Sequence, residues 1–412
     1  MNLHLSTKTT KLNAAIAISG SKSESNRLLV LQQLIEGLAI ENISDSDDSK
    51  YLQKALNSVE QFIDIGHAGT AMRFLTAYFS VKEGRDVLLT GSERMQNRPI
   101  EILVKALQDL GANISYVDKV GYPPIRIKGT KLTKNFVQIK GNVSSQYISA
   151  LMLIASSLPN GLEIELLGEI TSVPYINMTL VLLQELGIDT VFLGNKINVK
   201  PFERSISKKI IVESDWSSVS YFYSMIALSE IGSKIRLSSY KKESLQGDSC
   251  LAEIYTHFGV ETVFKETSIL IKKTNVISSE VENSHLKLDL KNAPDIAQTI
   301  AVTCFGLGAS CLLTGLHTLK IKETDRLIAL ENELTKLGAS ISVTNDSLIL
   351  EKSTKINSNI KIETYKDHRM AMAFAPLALK TNISILDANV VTKSYRNFWK
   401  DLQQIGFQID AN

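Results

Sequence analysis

Apolar and polar positions along the chain follow two periods, one typical of helices and one typical of strands. Residues 101–110 have the apolar spacing of a helix face, whereas 162–167, 234–239 and 347–352 alternate or run apolar as strands do. The apolar stretch 148–158 is about half as long as the roughly 20 residues that cross a bilayer, and serines interrupt it. We therefore predict a mixed α and β chain in which 148–158 forms a buried helix.

One short pattern occurs five times: a helical stretch ends in an apolar residue, a glycine follows, and a β-type segment begins. The glycines are Gly111, Gly187, Gly259, Gly338 and Gly406, at intervals of about 70 to 80 residues. The residue after a helix often adopts a left-handed conformation, which favours glycine. Such helix endings also arise by chance wherever helices precede strands, but the regular spacing predicts small βα modules, about six of them along the chain.

Size and composition restrict the possible classes of protein. A chain of 412 residues is longer than a single hydrophobic core usually supports, so we expect two or more domains. The net charge is +2, from 45 basic and 43 acidic residues, so the chain does not have the excess of one sign that is typical of a nucleic-acid binder.

Cys250, Cys304 and Cys311 are too few for a disulfide framework and lack zinc-site spacing, which fits a reducing cytosol. Residues 1–12 do not resemble a secretory signal, and we find neither a metal-ligand cluster nor a redox-cofactor motif, so we expect no cofactor.

Three segments carry cations in a way that suits anions, and the first two also contain glycine and hydroxyl groups. In SGSKSESNR (19–27), Lys22 and Arg27 precede an apolar run, so we expect them beside a helix that begins just beyond. GHAGTAMRF (66–74) resembles a second anion-binding loop without the lysine of a Walker A motif. In RMQNRP (94–99), two arginines precede a helix that Pro99 could begin. Each segment alone could equally be an ordinary helix start.

Five further segments carry hydroxyl groups, carboxylates or cations. VSSQY (143–147) and TSVPY (171–175) could bind a polyol or phosphate or serve as helix caps. NAPD (292–295) and KETDR (322–326) supply the carboxylates of Asp295 and Glu323. On a helix, Lys322 and Arg326 would share one face, although Glu323 and Arg326 could also form an ordinary surface pair. In YKDHRMAMAF (365–374), His368 could carry a proton or only cap a helix.

The cations of these segments suggest a shared purpose, because the rest of the sequence is electrostatically balanced. We expect them to line a cleft between halves of the chain that receives doubly anionic ligands and closes to exclude water. These cations are Lys22, Arg27, Arg73, Arg98, Lys322, Arg326, Arg369 and Lys393.

The segments GSKSxSNR, AGTAMR, RMxxRP, VSSQ, PY, KETDR, DHRMAM and a late TK resemble, in order and across residues 19–394, the 5-enolpyruvylshikimate-3-phosphate synthases. The resemblance implies an α/β (α+β) enolpyruvyl transferase fold, an inside-out α/β barrel with two lobes of three βαβαββ repeats each. One lobe would run from 20 to 212, and the other would combine 1–19 with 213–412. The active site would lie in the cleft between them.

The resemblance also implies site residues. The residues expected to hold shikimate 3-phosphate are Lys22, Ser23, Arg27, Ser144, Ser145, Gln146, Ser172, Tyr175, Asp295 and Lys322. The residues expected around phosphoenolpyruvate are Lys22, Gly69, Arg98, Gln146, Arg326, His368, Arg369 and Lys393. In the implied reaction, Asp295 accepts the proton of the 5-hydroxyl group, Glu323 exchanges the proton at C3 of phosphoenolpyruvate, and Lys22 assists the departing phosphate.

The sequence departs from the family pattern at positions that carry no catalytic charge. These are Ser19, His67, Phe74, Thr318, Tyr395 and Arg396. His67 stands where Asn is usual and Phe74 where Pro is usual, and both adjoin the expected phosphoenolpyruvate site.

Two other functions share the implied fold. One is enolpyruvyl transfer to UDP-N-acetylglucosamine, but that family typically has a cysteine near 94–98, where this chain has none before Cys250. The other is a noncatalytic anion-binding relative, against which the intact Lys22, Asp295 and Glu323 argue. We expect a cytoplasmic monomer that takes small-molecule substrates and binds neither nucleic acid nor a membrane.

Overall fold

A computed structural model describes residues 1–142, 144–202, 205–275 and 285–411. The chain forms two compact units, one of residues Gly20–Val212 and one that joins Met1–Ser19 to Glu213–Asn412. We call the first the continuous unit and the second the split unit. Val143, at the start of the VSSQY segment, lies outside the described residues.

Strands and helices alternate along the chain. The strands are β1 (Leu3–Thr7), β2 (Asn13–Ile16), β3 (Leu38–Glu41), β4 (Phe62–Asp64), β5 (Asp86–Thr90), β6 (Asn113–Tyr116), β7 (Ile125–Lys128), β8 (Phe136–Lys140), β9 (Leu162–Leu167), β10 (Thr190–Leu193), β11 (Lys196–Val199), β12 (Lys208–Ile211), β13 (Lys234–Ser238), β14 (Val260–Lys265), β15 (Ser268–Lys273), β16 (Leu286–Asp289), β17 (Cys311–Thr314), β18 (Ile341–Val343), β19 (Leu348–Leu350), β20 (Ile360–Ile362), β21 (Ile383–Ile385) and β22 (Phe407–Ala411). The α-helices are α1 (Lys22–Leu34), α2 (Asp47–Leu56), α3 (Gly69–Ser80), α4 (Glu93–Gln96), α5 (Glu101–Asp109), α6 (Ser145–Ala155), α7 (Val173–Glu185), α8 (Trp216–Leu228), α9 (Leu251–Ile254), α10 (Ala297–Leu307), α11 (Arg326–Lys336), α12 (His368–Phe374) and α13 (Phe398–Gln404).

The four-stranded sheets repeat one plan. In the continuous unit their orders are β4-β5-β7-β6 and β10-β11-β9-β8, and in the split unit β14-β15-β13-β2, β16-β17-β19-β18 and β20-β21-β1-β22. In each sheet, the two strands at one edge are parallel neighbours and the two strands at the other edge are antiparallel neighbours. The N-terminal strand β1 completes the last sheet. The continuous unit also contains a parallel pair, β3 and β12, which lie near the beginning and the end of this unit in the chain.

The five repeated glycines lie where the sequence predicts them. Each follows a helical segment, has φ between 71° and 107°, and leads into β6, β10, β14, β18 or β22. Four of these strands begin the hairpins β6–β7, β10–β11, β14–β15 and β18–β19, whereas β22 pairs with the N-terminal strand β1. The predicted strands at 162–167 and 234–239 are confirmed as β9 and β13, and the helix at 101–110 as α5.

Three predicted helix boundaries are wrong. The helix expected beyond Arg27 begins at Lys22, because Ser21 caps it by accepting a hydrogen bond from the Glu24 amide. The helix expected at Pro99 begins at Glu101 instead. Lys322 and Arg326 do not share a helix, because Asp325 caps α11. Lys322 precedes this helix and has a non-helical backbone with ψ of −143°.

Buried helices form the interior of each unit. In the continuous unit α1, α3 and α6 pack against one another, and α3 is buried along its whole length. The predicted buried helix at 148–158 is confirmed within α6. In the split unit α8 packs on α10, α10 packs on α12, and the 3-10 helix Ala375–Leu379 that continues α12 packs on α8. Within the described ranges, no helix is long and apolar enough to cross a membrane.

Candidate active site

Several predicted site residues of the continuous unit lie at the N-termini of the buried helices α1, α3 and α6. Lys22 begins α1, Gly69 begins α3, and Ser144 caps α6 by accepting a hydrogen bond from the Gln146 amide. The Gln146 side chain donates to the Thr70 hydroxyl at 3.3 Å, so the first turns of α6 and α3 lie together. Amide groups at helix N-termini carry partial positive charge and favour anions.

Arg27 joins three helices from inside the continuous unit. Its guanidinium donates to the Thr179 hydroxyl at 2.7 Å, the Ser23 carbonyl at 2.7 Å, the Ser149 hydroxyl at 3.0 Å and the Tyr175 carbonyl at 3.1 Å. All these partners are neutral. Burial lowers the pKa of Arg27 to about 10, against the weaker effects of Tyr175 and Glu24.

Phe74 explains how one departure from the family pattern fits the fold. Its ring is 1% exposed and lies 5.6 Å, measured to the ring centroid, from the Arg27 guanidinium carbon. A cation over an aromatic face is attracted by the ring quadrupole. The other departure beside this helix, His67, is exposed and contacts the edge of Tyr51 at 6.3 Å between ring centroids.

Two arginines stand at the N-terminus of α3. Arg73 is 4% exposed and donates to the carbonyls of Gly69 and Pro99, each at 3.2 Å. Burial, and then the charge of Arg98, lower the pKa of Arg73 to about 10. A Cβ on Gly69 would lie 2.5 Å from Nη1 of Arg98, so only glycine lets this guanidinium approach the helix end.

The hydroxyl-bearing segments of the continuous unit lie at the N-termini of α6 and α7. Ser144 is exposed, Ser145 is 8% exposed, and Tyr175 lies in the first turn of α7 beside Arg27. Ser172 caps α7 with φ of 55° and ψ of 37°, a left-handed conformation that is uncommon for serine. Uncommon backbone conformations concentrate at functional sites.

In the split unit, one guanidinium holds three carboxylates. Arg326 is 2% exposed and donates to Asp367 at 2.7 Å, Glu323 at 2.8 Å and Asp295 at 2.9 Å. The Glu323–Arg326 pair therefore exists, but it is buried rather than an ordinary surface pair. Burial lowers the pKa of Arg326, and Asp367, Glu323 and Asp295 outweigh burial and raise it above the ordinary value.

Arg369 and Lys322 hold Asp295 from other sides. Arg369 donates to the Asp295 carboxylate at 3.0 Å and to the Asp295 backbone carbonyl at 3.2 Å. The ammonium group of Lys322 lies 3.5 Å from the same carboxylate. Burial lowers the pKa of Arg369, but Asp295 and other acidic groups outweigh this and raise it well above the ordinary value.

Glu323 lies between two cations. One carboxylate oxygen accepts from Arg326, and the other accepts from Lys393, which is 7% exposed. Asp367 is fully buried, caps α12 through the Arg369 amide at 2.8 Å, and lies 3.7 Å from the His368 ring. The two residues before it, Tyr365 and Lys366, both have left-handed backbones with φ of 53° and 56°. Because Arg326 donates to both residues, the carboxylates of Asp295 and Glu323 are held on neighbouring nitrogens of the Arg326 guanidinium.

The structure brings several of the predicted residues into contact within each unit. In the continuous unit Arg27 contacts Ser23 and Tyr175, and Arg98 lies beside Gly69. In the split unit the structure joins Asp295, Lys322, Glu323, Arg326, His368, Arg369 and Lys393 in one cluster. Sequence reasoning assigned no role to Asp367, and it missed Ser217 and Asp248, which adjoin Arg369. Asp367 precedes the motif histidine, so the helix-capping pattern could have identified it, whereas Ser217 and Asp248 carry no comparable local pattern.

Other groups of ligand-bearing side chains do not change this assignment. Among the residues that the structure describes, no set of three or more His, Cys, Asp or Glu side chains is placed to hold a metal ion.

Thr318, another departure from the family pattern, lies in the 3-10 helix His317–Ile321.

Comparison with known proteins gives one consistent result. Residues 51–402 match the sequence model of EPSP synthase (3-phosphoshikimate 1-carboxyvinyltransferase). The chain is 44% identical over 406 residues to the 3-phosphoshikimate 1-carboxyvinyltransferase of Bacteroides fragilis, with 97% of each chain covered. It is 34% identical to the enzyme of the same name from Haemophilus influenzae, with 96% of each chain covered.

Solved structures share the fold. EPSP synthase from Acinetobacter baumannii is similar with a TM-score of 0.82 and 21% identity over the whole of both chains. The enolpyruvyl transferase NikO from Streptomyces tendae is similar with a TM-score of 0.73 and 13% identity, over 99% of this chain and 98% of that one. The predicted enolpyruvyl transferase fold is confirmed.

Proposed function

Because this chain belongs to the EPSP synthase family, an enzyme family of the shikimate pathway, we propose that Asp295, Glu323 and Lys22 are its catalytic residues. The chain is a transferase. It moves the enolpyruvyl group of phosphoenolpyruvate to the 5-hydroxyl group of shikimate 3-phosphate and releases phosphate. The observation that carries the residue assignment is the Arg326 guanidinium, which holds Asp295 and Glu323 side by side.

Addition and elimination require proton transfer at two substrate atoms. In the addition step, Asp295 accepts the proton of the 5-hydroxyl group as its oxygen bonds to C2 of phosphoenolpyruvate, and Glu323 donates a proton to C3. In the elimination step, Glu323 takes a proton back from C3 as the C2–O bond to phosphate breaks. Carboxylates held by cations on fixed geometry suit this work, since positioning and general acid–base catalysis each contribute to rate.

We propose that cations and helix ends hold the two substrates. Shikimate 3-phosphate is bound by Lys22, Ser23, Arg27, Ser144, Ser145, Gln146, Ser172, Tyr175, Asp295 and Lys322. Phosphoenolpyruvate is bound by Lys22, Gly69, Arg98, Gln146, Arg326, His368, Arg369 and Lys393. The approach of Arg98 to the N-terminus of α3 supports the second set, because two positive ends close together favour a doubly charged anion between them.

Residues of both sets come from both units, so we propose that the two units act on the same pair of substrates. Lys22 then assists the departing phosphate by balancing its charge. We also propose that the enzyme works as a cytoplasmic monomer, without binding nucleic acid. The near balance of 45 basic and 43 acidic residues supports the last point.

Phosphate release tests the reaction. The purified protein is mixed with phosphoenolpyruvate and shikimate 3-phosphate, and in parallel with phosphoenolpyruvate and UDP-N-acetylglucosamine. We expect phosphate only in the first mixture. Release in the second mixture alone would assign the other sugar acceptor, and no release in either would indicate a noncatalytic binding protein.

Glu323→Gln tests the assignment of the proton at C3. Removing one general acid–base group costs about 10²- to 10⁴-fold in turnover, while Glu323 lies outside the proposed shikimate 3-phosphate set. We therefore expect kcat to fall about 10³-fold with unchanged affinity for shikimate 3-phosphate, measured by titration calorimetry. Asp346→Asn, which removes an exposed carboxylate of the same unit, is the control. Near-normal turnover of Glu323→Gln would remove Glu323 from the mechanism.

A further inference from the structure

A fourth carboxylate lies beside the cluster of the split unit and takes no part in the mechanism described above. Asp248 belongs to the 3-10 helix Gly247–Cys250 and is 3% exposed. One of its oxygens accepts a hydrogen bond from the Ser217 hydroxyl in the first turn of α8. The other oxygen is buried without a hydrogen-bond partner among the described residues.

Ser217 links Asp248 to the proposed active site. Its hydroxyl group accepts a hydrogen bond from Arg369 at 3.2 Å while it donates to Asp248. The same Nη2 atom of Arg369 donates to the Asp295 carboxylate at 3.0 Å. A continuous chain of hydrogen bonds therefore runs from Asp248 through Ser217 and Arg369 to Asp295. Chains of this kind polarise their members and fix donor orientation.

The electrostatics of Asp248 are unfavourable for stability. Burial, and then the charge of Asp295, raise its pKa to about 6, although Arg369 and the Ser217 hydrogen bond oppose this. The other titratable groups that interact with it are Asp215, which caps α8, and Cys250 in its own helix. An incompletely paired buried carboxylate costs stability, and such costs are commonly tolerated where activity requires them.

We propose that Asp248 is a positioning residue, which through Ser217 orients the Arg369 guanidinium against Asp295. Asp248 touches neither substrate. This inference rests on the proposed function, in which Arg369 binds phosphoenolpyruvate and Asp295 accepts a proton. Loss of the Ser217 link frees Arg369 from one of the hydrogen bonds that fix its plane.

The experiment compares Ser217→Ala, Asp248→Leu, Asp248→Asn and the double variant Ser217→Ala/Asp248→Leu, with Asp346→Asn as the control for an exposed carboxylate. For each, kcat, the KM of both substrates and the thermal midpoint are measured. A merely structural residue would alter the thermal midpoint, but it would not couple to Ser217 in turnover.

We expect Ser217→Ala and Asp248→Leu each to lower kcat/KM for phosphoenolpyruvate about tenfold, and the double variant to lose no more than either, because both break one chain. Asp248→Asn keeps an oxygen that accepts from Ser217, so its rate near pH 8 should remain within about threefold of the unmodified enzyme. Asp346→Asn should match the unmodified enzyme.

Additive losses in the double variant, of about a hundredfold, would overturn the proposal. A rate for Asp248→Asn as low as that of Asp248→Leu would overturn it as well, since asparagine keeps the oxygen that accepts from Ser217. If Asp248→Leu does not fold, Ser217→Ala and Asp248→Asn decide the question, because both conserve the packing. Asp295→Asn separates the two levels: normal turnover there refutes the proposed function, whereas a dead Asp295→Asn beside unaffected Asp248 and Ser217 variants refutes only this inference.

Discussion

The two units use buried arginines in opposite ways. In the continuous unit, Arg27 and Arg73 bond to carbonyls, hydroxyls and a thioether, and burial lowers the pKa of each to about 10. In the split unit, Arg326 and Arg369 bond to carboxylates, which outweigh burial and raise the pKa of each above its ordinary value. The hydrogen-bond partners of Arg27 and Arg73 leave their positive charge largely uncompensated, whereas carboxylates within the protein compensate the charge of Arg326 and Arg369.

This difference fits a division of work between the units. An uncompensated buried cation lowers its free energy when an anion binds nearby, so the continuous unit is suited to binding phosphate groups. A cation surrounded by carboxylates instead holds them in fixed positions, which suits proton transfer. Catalysis of addition and elimination requires both, since the substrates carry phosphates and the reaction moves protons.

The largest effect expected from this comparison concerns Arg326→Met against Arg27→Met. Removing Arg326 leaves three acidic side chains clustered without their shared partner, and breaking such a buried pair costs about 3 to 5 kcal/mol. Removing Arg27 leaves neutral groups without a donor, which costs about 1 to 3 kcal/mol. The free energy of unfolding, measured by urea titration of both variants, should therefore fall more for Arg326→Met.

Equal losses for the two variants at neutral pH would contradict the idea that the units differ in how they compensate buried cations.

Asp248→Asn provides a second, smaller test on the split unit. The folded-state pKa of Asp248 is about 6 against a reference of 3.8, so between these values the folded protein binds more protons than the unfolded chain. Stability contributed by the protonated form is therefore lost as pH rises through this window. The asparagine cannot lose a proton, so we expect its stability relative to the unmodified protein to rise by about 1 to 3 kcal/mol between pH 4 and pH 7. Thermal midpoints across this range should diverge, and parallel curves would contradict the assignment.

The sequence predicted local features better than their pairing. The five helix-ending glycines were identifiable because a left-handed residue at a helix end leaves a local signature, and all five are confirmed by positive φ. The start of α1 and the position of Lys322 before α11 were missed because the side-chain caps Ser21 and Asp325 set these helix starts, and apolar periodicity alone cannot locate a helix start.

Partners of buried charges could not be read from the sequence. KETDR suggested a surface pair because Glu323 and Arg326 are three residues apart, yet the guanidinium also binds Asp367, which is 41 residues away. Ser217 and Asp248 escaped notice for the same reason, since their link to Arg369 spans 152 residues in one step. Such contacts depend on how the buried helices pack, and packing is set by the whole core rather than by any local pattern.

Gly69→Ala tests the continuous unit with the smallest expected effect. An added Cβ would lie 2.5 Å from Nη1 of Arg98, so the guanidinium must move away while the backbone of α3 stays in place. We expect the KM for phosphoenolpyruvate to rise about tenfold, roughly 1.4 kcal/mol, with little change in the KM for shikimate 3-phosphate. Gly84→Ala, at φ of 78° with open space around it, is the control that strains the backbone elsewhere in the same unit. Because Arg98 is the flexible partner, the thermal midpoint should fall less in Gly69→Ala than in the control, even though only Gly69→Ala loses affinity. An unchanged KM would mean that the position of Arg98 beside this helix end does not determine how the donor substrate binds.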